Sequence, residues 1–306
     1  MRFLSLLAVL LIEQLRPLRP GNPARDAFER YAAALDRRFN AGQHHHGVVA
    51  WLLAVVPVVA ATVLVGCALH AVSPLLAWAW NIAVLYVTMG FREFSHDFRE
   101  IAQALREGDH DKARECLRRW RGEATDAFTP ADVARVSIES GFVIAHRHVF
   151  GPIAAFVVLG PGGAMLYRTA EILSERWGRR ADPDSGNFGE FARRFFFWLD
   201  WLPERLTAAS FAIVGNFEDA VYCWRTQAVP AANVEHALLL ASGGGAIGVR
   251  LGGGAVRDGD VPVRPELGLG EEADADYMQS AVGLLWRALV LWLFLIFIVT
   301  VAHSLG

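Results

Sequence analysis

The chain has 306 residues, of which 54% are hydrophobic and only 20% charged, with a formal net charge of −3. Soluble domains run at roughly 45–50% apolar and about 25% charged, so an ordinary soluble domain is excluded, and the lack of a basic excess excludes a nucleic-acid binder. The three cysteines, Cys67, Cys116 and Cys223, form neither a CxxC pair nor a zinc spacing, which excludes a disulfide framework.

The apolar excess sits in a few runs, which predicts an all-α, polytopic integral membrane bundle with soluble helical segments. Residues 1–14 are apolar after Arg2, but no small-x-small cleavage site follows. The run is also shorter than the roughly 20 residues a span needs, so a retained helix, partly embedded or packed on the bundle, is expected. From Arg16 to His46 the pattern is polar and helical, with Phe28, Tyr31, Leu35 and Phe39 forming one stripe. His44-His45-His46 has no accompanying carboxylate or cysteine. Adjacent side chains diverge, so no metal is assigned there.

Residues 48–69 carry no charge and form the clearest span; 71–90 form a second, with the turn at His70 to Ser73. Several of the ten tryptophans flank apolar runs, as an interfacial belt would place them. Arg16, Arg19, Arg25 and Arg30 precede the hairpin, and Arg92, Arg99, Arg106 and Lys112 follow it. The positive-inside rule puts both flanks in the cytoplasm and the turn outside. Residues 91–135 read as a soluble helical segment, with Asp109 or Asp111 capping one helix and Thr129-Pro130 opening the next. The basic stretch 112–121 reads either as a solvated face against acidic headgroups or as part of a cationic site for a phosphate-bearing ligand.

The apolar run from Gly141 holds His146, Arg147 and His148, ends at Gly160-Pro161-Gly162-Gly163, and is followed by Arg168, Arg176, Arg179, Arg180, Arg193 and Arg194. A single crossing would place these arginines outside, and the run is too short for two. An embedded or re-entrant segment over 141–166, broken at Pro152 or at Gly160-Pro161, resolves the conflict. The Gly-Pro-Gly-Gly break is either a plain helix stop or the lining of a site; the embedded His-Arg-His before it and Arg168 after it argue for a site.

A second embedded segment, 195–217, carries Asp200, Glu204 and Arg205. Asp200 and Glu204 are one helical turn apart and share a face. They read either as functional carboxylates at membrane depth or as partners of Arg205 in an ion pair. Residues 218–280 form a second soluble segment, in which glycine clusters between Ser242 and Gly254 bracket Arg250. Such a loop can offer backbone donors and a guanidinium to an anion, or serve as a linker, although Ile247, Val249 and Leu251 alternate. Neither a P-loop nor a dinucleotide fingerprint is present. The final span is 281–303, and residues 1–306 are taken as one membrane domain.

The pieces Ala113-Arg114, Ile138-Glu139-Ser140, Pro152, Gly160 to Arg168, Leu199 to Leu206, Gly245 to Gly253 and Arg264 to Gly268 together resemble one family over most of the chain, from about Val48 onward. It is the adenosylcobinamide-phosphate synthases, the CbiB/CobD membrane proteins of cobalamin biosynthesis, with their AmpE-type relatives. The resemblance implies amide-bond formation between an aminopropanol moiety and a propionate of an adenosylated corrinoid, with Mg²⁺ and ATP where that synthase chemistry holds. The family's Glu-Asn and following Asp read here as Val143-Ile144 and Arg147, and its Asn-Thr-Leu-Asp reads as Glu171-Ile172-Leu173-Ser174. The AmpE-type relatives, regarded as membrane sensors linked to β-lactamase induction, keep the Gly-Pro to Tyr-Arg and Leu-Pro to Arg-Leu elements.

Two functions therefore stand. One is a corrinoid-pathway amide-forming enzyme, or a descendant that kept its anionic-ligand pocket. The other is a non-catalytic membrane regulator. The expected site is a polar pocket for an anionic or phosphate-bearing small ligand, a corrinoid among the candidates. It is built from Arg168, Tyr167, Arg205, Arg250, His146 and Arg147, with Glu139, Asp200 and Glu204 as acidic counterpart. No metal ligands are assigned. The expected partners are the lipid bilayer and that ligand, and a homo-oligomer is compatible with the sequence.

Overall fold

A computed structural model describes residues 2–15, 23–39, 44–90, 95–122, 124–178, 187–231, 234–253 and 265–305. The predicted basic flank residues Arg16, Arg19, Arg92, Arg179 and Arg180, together with Gly254 and Arg264, lie outside these. The described chain is mostly helical, with two three-residue strands, as an all-α bundle requires. Three described helices are long and apolar enough to cross a membrane: His45–Val72, Pro130–Leu159 and Ala275–Ala302.

The chain packs as two compact units. The first comprises residues 1–93, 147–203 and 296–306, and the second 94–146 and 204–295. In the first, helices α1 (Arg2–Leu15), α2 (Pro23–Phe39), α3 (His44–Val72) and α4 (Pro74–Thr88) come first in the chain. The predicted second span is α4, which has only 15 residues, short of the roughly 20 of a full crossing. Its start is set locally. The Ser73 hydroxyl accepts the Leu75 N–H at 3.3 Å, and Pro74 occupies the first turn, where a missing donor costs nothing. The indole of Trp80 donates to the Thr62 carbonyl at 3.0 Å and ties α4 back to α3. On α2, Leu35 is buried, Phe28 and Phe39 pack on the core, and Tyr31 is exposed while its hydroxyl donates to the Leu53 carbonyl at 2.8 Å.

The break after the embedded apolar run falls at Gly160. Pro152 is absorbed in the first turn of α8 (Gly151–Leu159), which follows a π-helical turn at His146–Phe150. Gly160 has φ 70° and ψ −158°, a conformation open to glycine because it has no Cβ. Pro161 then opens α9 (Pro161–Gly178). The next two glycines allow α9 to close onto its neighbours: a Cβ at Gly162 would lie 2.6 Å from Val63 Cγ2, and one at Gly163 would lie 2.3 Å from the Ala155 carbonyl oxygen. The core of this unit gathers Trp51, Tyr167, Leu173, Trp177, Phe188 and Phe196. Phe196 belongs to α10 (Glu190–Val214), whose Phe197, Trp198, Trp201 and Leu202 form an exposed apolar face.

In the second unit, α5 (Ser95–Glu107) and α6 (His110–Arg121) precede α7 (Pro130–Ala145). Asp109 is the cap of α6, accepting the Lys112 N–H at 3.1 Å, and Gly122 at φ 71° ends it. Thr129 and Asp132 form a reciprocal capping box at the start of α7. The four arginines of 112–121 each have a partner within the chain: Arg114 pairs with Asp111, Arg118 with Glu115, Arg119 with Glu100, and Arg121 bonds the Ser140 hydroxyl.

The glycine clusters correct the sequence reading. Gly243 to Gly245 form neither an anion-binding loop nor a linker but lie inside helix α12 (Ala237–Ile247). Added Cβ atoms there would come within 2.6 Å of the Phe142 ring, 2.8 Å of Gly268 Cα and 2.6 Å of the Asp219 carbonyl oxygen, respectively. Close approach to α7, to β2 and to α11 (Phe217–Thr226) thus overrides glycine's poor helix propensity. After α12 comes β1 (Arg250–Gly252), antiparallel to β2 (Glu266–Gly268) with Leu251 opposite Leu267. The Gln227 side chain accepts the Gly268 N–H at 2.7 Å and donates to the Gly268 carbonyl at 2.9 Å. The remaining helix, α13 (Ala275–Leu305), ends the described chain.

Candidate functional site

Helix periodicity on α9 places Arg168, Glu171 and Glu175 on one face, three and seven residues apart. In the first unit this face carries a charged layer. Arg168 Nη1 donates to Glu171 Oε2 at 2.6 Å, His148 Nε2 lies 3.6 Å from Glu171 Oε1, and Arg147 Nη1 donates to Glu175 Oε1 at 2.7 Å. Next to it, the Tyr167 hydroxyl donates to Asp200 Oδ1 at 2.6 Å. The Phe196 ring joins the two parts, with the Tyr167 ring edge-on at 5.3 Å and the Arg147 guanidinium 5.9 Å from its centroid. Arg147, Arg168, Glu171, Tyr167 and Asp200 are all buried.

Burial alone would raise the Glu171 carboxyl. The Arg168 guanidinium, then His148 and Arg147, outweigh it and hold the group well below the usual carboxylate range. The Tyr167 phenol is pushed well above its ordinary value, by burial first and then by Asp200. It therefore stays a hydrogen-bond donor across the physiological range.

The first unit thus brings together Tyr167, Arg168, Arg147 and Asp200 of the predicted set. The other predicted residues belong to the second unit. There Glu139 Oε1 accepts the Gly252 N–H at 2.7 Å, while Arg135 donates to the Gly252 carbonyl and pairs with Asp132 at 2.6 Å. His146 Nδ1 lies 3.0 Å from Thr207 Oγ1, and His236 Nδ1 lies 3.2 Å from Glu204 Oε1. Arg205 is half-buried beside Glu204. Arg250 is exposed rather than embedded, with Glu272 4.0 Å away, because it occupies the outward-facing position of β1. The sequence-derived set omitted Glu171, Glu175 and His148. Their signal was helical spacing from Arg168 and adjacency to Arg147.

The sequence model of the CobD/Cbib protein family matches residues 15–285. This chain belongs to the CobD/Cbib family. A protein of Stutzerimonas stutzeri is 34% identical over 299 residues, covering 95% of each chain. One of Chromobacterium violaceum is 37% identical over 219 residues, 72% of this chain and 70% of its own. A more distant one of Leptospira interrogans is 24% identical over 193 residues, 61% of each. All three are named cobalamin biosynthesis protein CobD. No solved structure matches the chain.

The Mg²⁺ and ATP implied for a CobD/Cbib synthase can be tested against the charged layer. A hard divalent cation needs several oxygen ligands, about six for Mg²⁺. Here Glu171 and Glu175 each already face an arginine, and Asp200 accepts the Tyr167 hydroxyl. Two guanidiniums and an imidazole lie in the same layer, so this donor set does not fit Mg²⁺ or its nucleotide.

Proposed function

We propose that this CobD/Cbib member is a multi-pass bacterial inner-membrane protein of cobalamin biosynthesis, acting on a corrinoid. In the reaction, an aminopropanol nitrogen forms a C–N bond to a propionate carboxyl carbon, with net loss of water. The observation that carries this reading is the 34% identity over 95% of both chains to a protein named for that pathway. The bilayer fits the three long apolar helices and the exposed apolar face of α10. The buried Arg168 and Arg147 supply positive charge for the carboxylate or phosphate groups of such a substrate. The test is complementation of a strain lacking its corrinoid amide synthase, with cobyric acid supplied on cobinamide-free medium. Growth at normal expression is expected; no growth from a stably expressed chain overturns the reading.

One observation favours a second reading, a non-catalytic AmpE-like regulator that binds an anion. Arg147 and Glu171 stand where the resembling synthases carry an acid and an amide, and both are engaged in internal ion pairs. Failed complementation together with saturable binding of inorganic phosphate, lost in Arg168→Ala/Glu171→Gln, would select it.

A further inference from the structure

We propose that α2, α3 and α10 of the first unit form a binding surface for anionic phospholipid headgroups, with Arg37, Arg38 and Arg193 as its cations. The proposal rests on the membrane reading of the chain and adds to it a selectivity for lipid charge.

The helices fix the level at which a headgroup would lie. Residues 188–195 run beside the start of α3. Gly47 leaves no room for a Cβ against the Phe188 carbonyl, and the Trp51 ring centroid lies 5.4 Å from that of Phe191 and 4.3 Å from that of Phe195. From this level on, both helices are apolar on the outside. Helix α3 exposes Val49, Leu52, Leu53 and Val56; α10 exposes Trp201 and Leu202 together with Phe197 at 61% and Trp198 at 70%. Just before that stripe, α10 exposes Arg193 and Arg194. Helix α2 joins at the same level, because its Ala32 and Leu35 share one core with Ala50, Trp51 and Ala54 of α3 and with Ala192 of α10. Its last turn then exposes Arg37 and Arg38.

Positive charge is left over at this level. Arg25 and Arg176 share Glu29, and Arg194 pairs with Glu190 at 2.5 Å. Among the described residues, Arg37, Arg38 and Arg193 have no carboxylate partner. A guanidinium matches a phosphate through two parallel N–H···O bonds, and basic residues beside a bilayer attract anionic lipid. The neighbouring stripe selects the source of that phosphate. Arg194, Phe197, Trp198 and Trp201 follow at helical spacing on one face of α10, so cation and exposed aromatic stripe stand about one turn apart. A soluble phosphate would meet the arginines and leave the stripe bare, an exposure that soluble surfaces keep small. A phospholipid sets its phosphate at the arginines and an acyl chain along Phe197 and Trp198, with the indoles at the boundary.

The test uses the full chain in an uncharged detergent. Flotation of the wild type with neutral phosphatidylcholine vesicles, after a high-salt wash, checks the membrane reading by itself. Native mass spectrometry then counts the lipids retained from an equimolar mixture of phosphatidylglycerol and phosphatidylcholine. Phosphatidylglycerol should be preferred by about ten-fold or more, and the preference should shrink as salt rises from about 0.05 to about 0.5 M. The variant Arg37→Gln/Arg38→Gln/Arg193→Gln should lose most of it and still float with neutral vesicles. The control Arg118→Gln, whose arginine pairs with Glu115 on α6, should keep it. Circular dichroism and size exclusion check folding. If the triple variant does not fold, Arg193→Gln alone should lower the preference about five-fold. No preference in a wild type that floats, a preference unchanged in the folded variant, or displacement of the lipid by inorganic phosphate overturns the proposal. A wild type that does not float removes the membrane reading and the proposal with it.

Discussion

Gly151 lies face to face with the phenol of Tyr167: a Cβ at Gly151 would sit 2.2 Å from both Cζ and Oη of that ring. The missing side chain at the start of α8 is what lets Tyr167 reach Asp200. Gly151→Ala is therefore expected to displace the ring and lower stability by about 1–3 kcal/mol through overpacking. Tyr167→Phe should cost a similar amount, about 1–3 kcal/mol, by removing a donor from a buried carboxylate. Thermal unfolding of the purified protein reads both. An unchanged midpoint in either variant would show that the contact carries no weight.

Arg168 and Glu171 allow stability and function to be separated. Removing one partner of a buried pair leaves an uncompensated charge, worth about 3–5 kcal/mol, so Arg168→Ala and Glu171→Leu should each be strongly destabilised. Arg168→Ala combined with Glu171→Gln should recover most of the loss. If Arg168 also binds the anionic ligand, the rescued double variant still fails in complementation. A double variant that is both stable and active would reduce Arg168 to a structural partner.

The depressed Glu171 carboxyl fixes the sign of a pH dependence. Its folded value lies below the ordinary glutamate value of about 4.3, so the unfolded chain binds the proton more readily. Its contribution is complete above about pH 4.3 and is lost as pH falls from there toward the folded value. The unfolding midpoint of the wild type should drop over that acidic window. Glu171→Gln should lack this component, which paired pH titrations of the two proteins would reveal.

Membrane sidedness can be read at two exposed arginines. Arg118 on α6 and Arg194 on α10 are both predicted to face the cytoplasm, from the basic flanks of the apolar runs. In a background lacking the exposed Cys67, Arg118→Cys and Arg194→Cys should react with an impermeant thiol reagent only after the membrane is opened. External labelling of intact cells at either position would remove the embedded reading of residues 141–166.

The features that could be read from the chain alone were the local ones. The Thr129-Pro130 start, the Asp109 cap and the break at Gly160-Pro161 depend on residues within a few positions of each other, whose turn and capping chemistry is fixed by type. The long apolar runs announced their own helices. The helix at Gly243–Gly245 was hidden because glycine's local preference opposes it, and the contacts that overrule this preference come from Phe142, Asp219 and Gly268. Arg168 was visible as a cation beside a break, but its commitment to Glu171 was readable only once a continuous α9 fixed the phase. The Glu204 contact to His236 spans 32 residues, a separation over which no periodicity carries information.

The small β1–β2 ribbon has an unusual consequence. A two-stranded ribbon of three residues per strand should open freely in isolation. Here Glu139 and Arg135 hold both backbone polar groups of Gly252, and the single carboxamide of Gln227 holds both of Gly268. Gln227 stands in for the peptide group of a third strand, and helix α7 for that of a fourth. Solvent deuterium should therefore enter the Gly252 and Gly268 amides only when those side chains let go. Two glycines in these three-residue strands then exchange on the timescale of the surrounding helices, and Glu139→Ala should release Gly252 while leaving Gly268 slow.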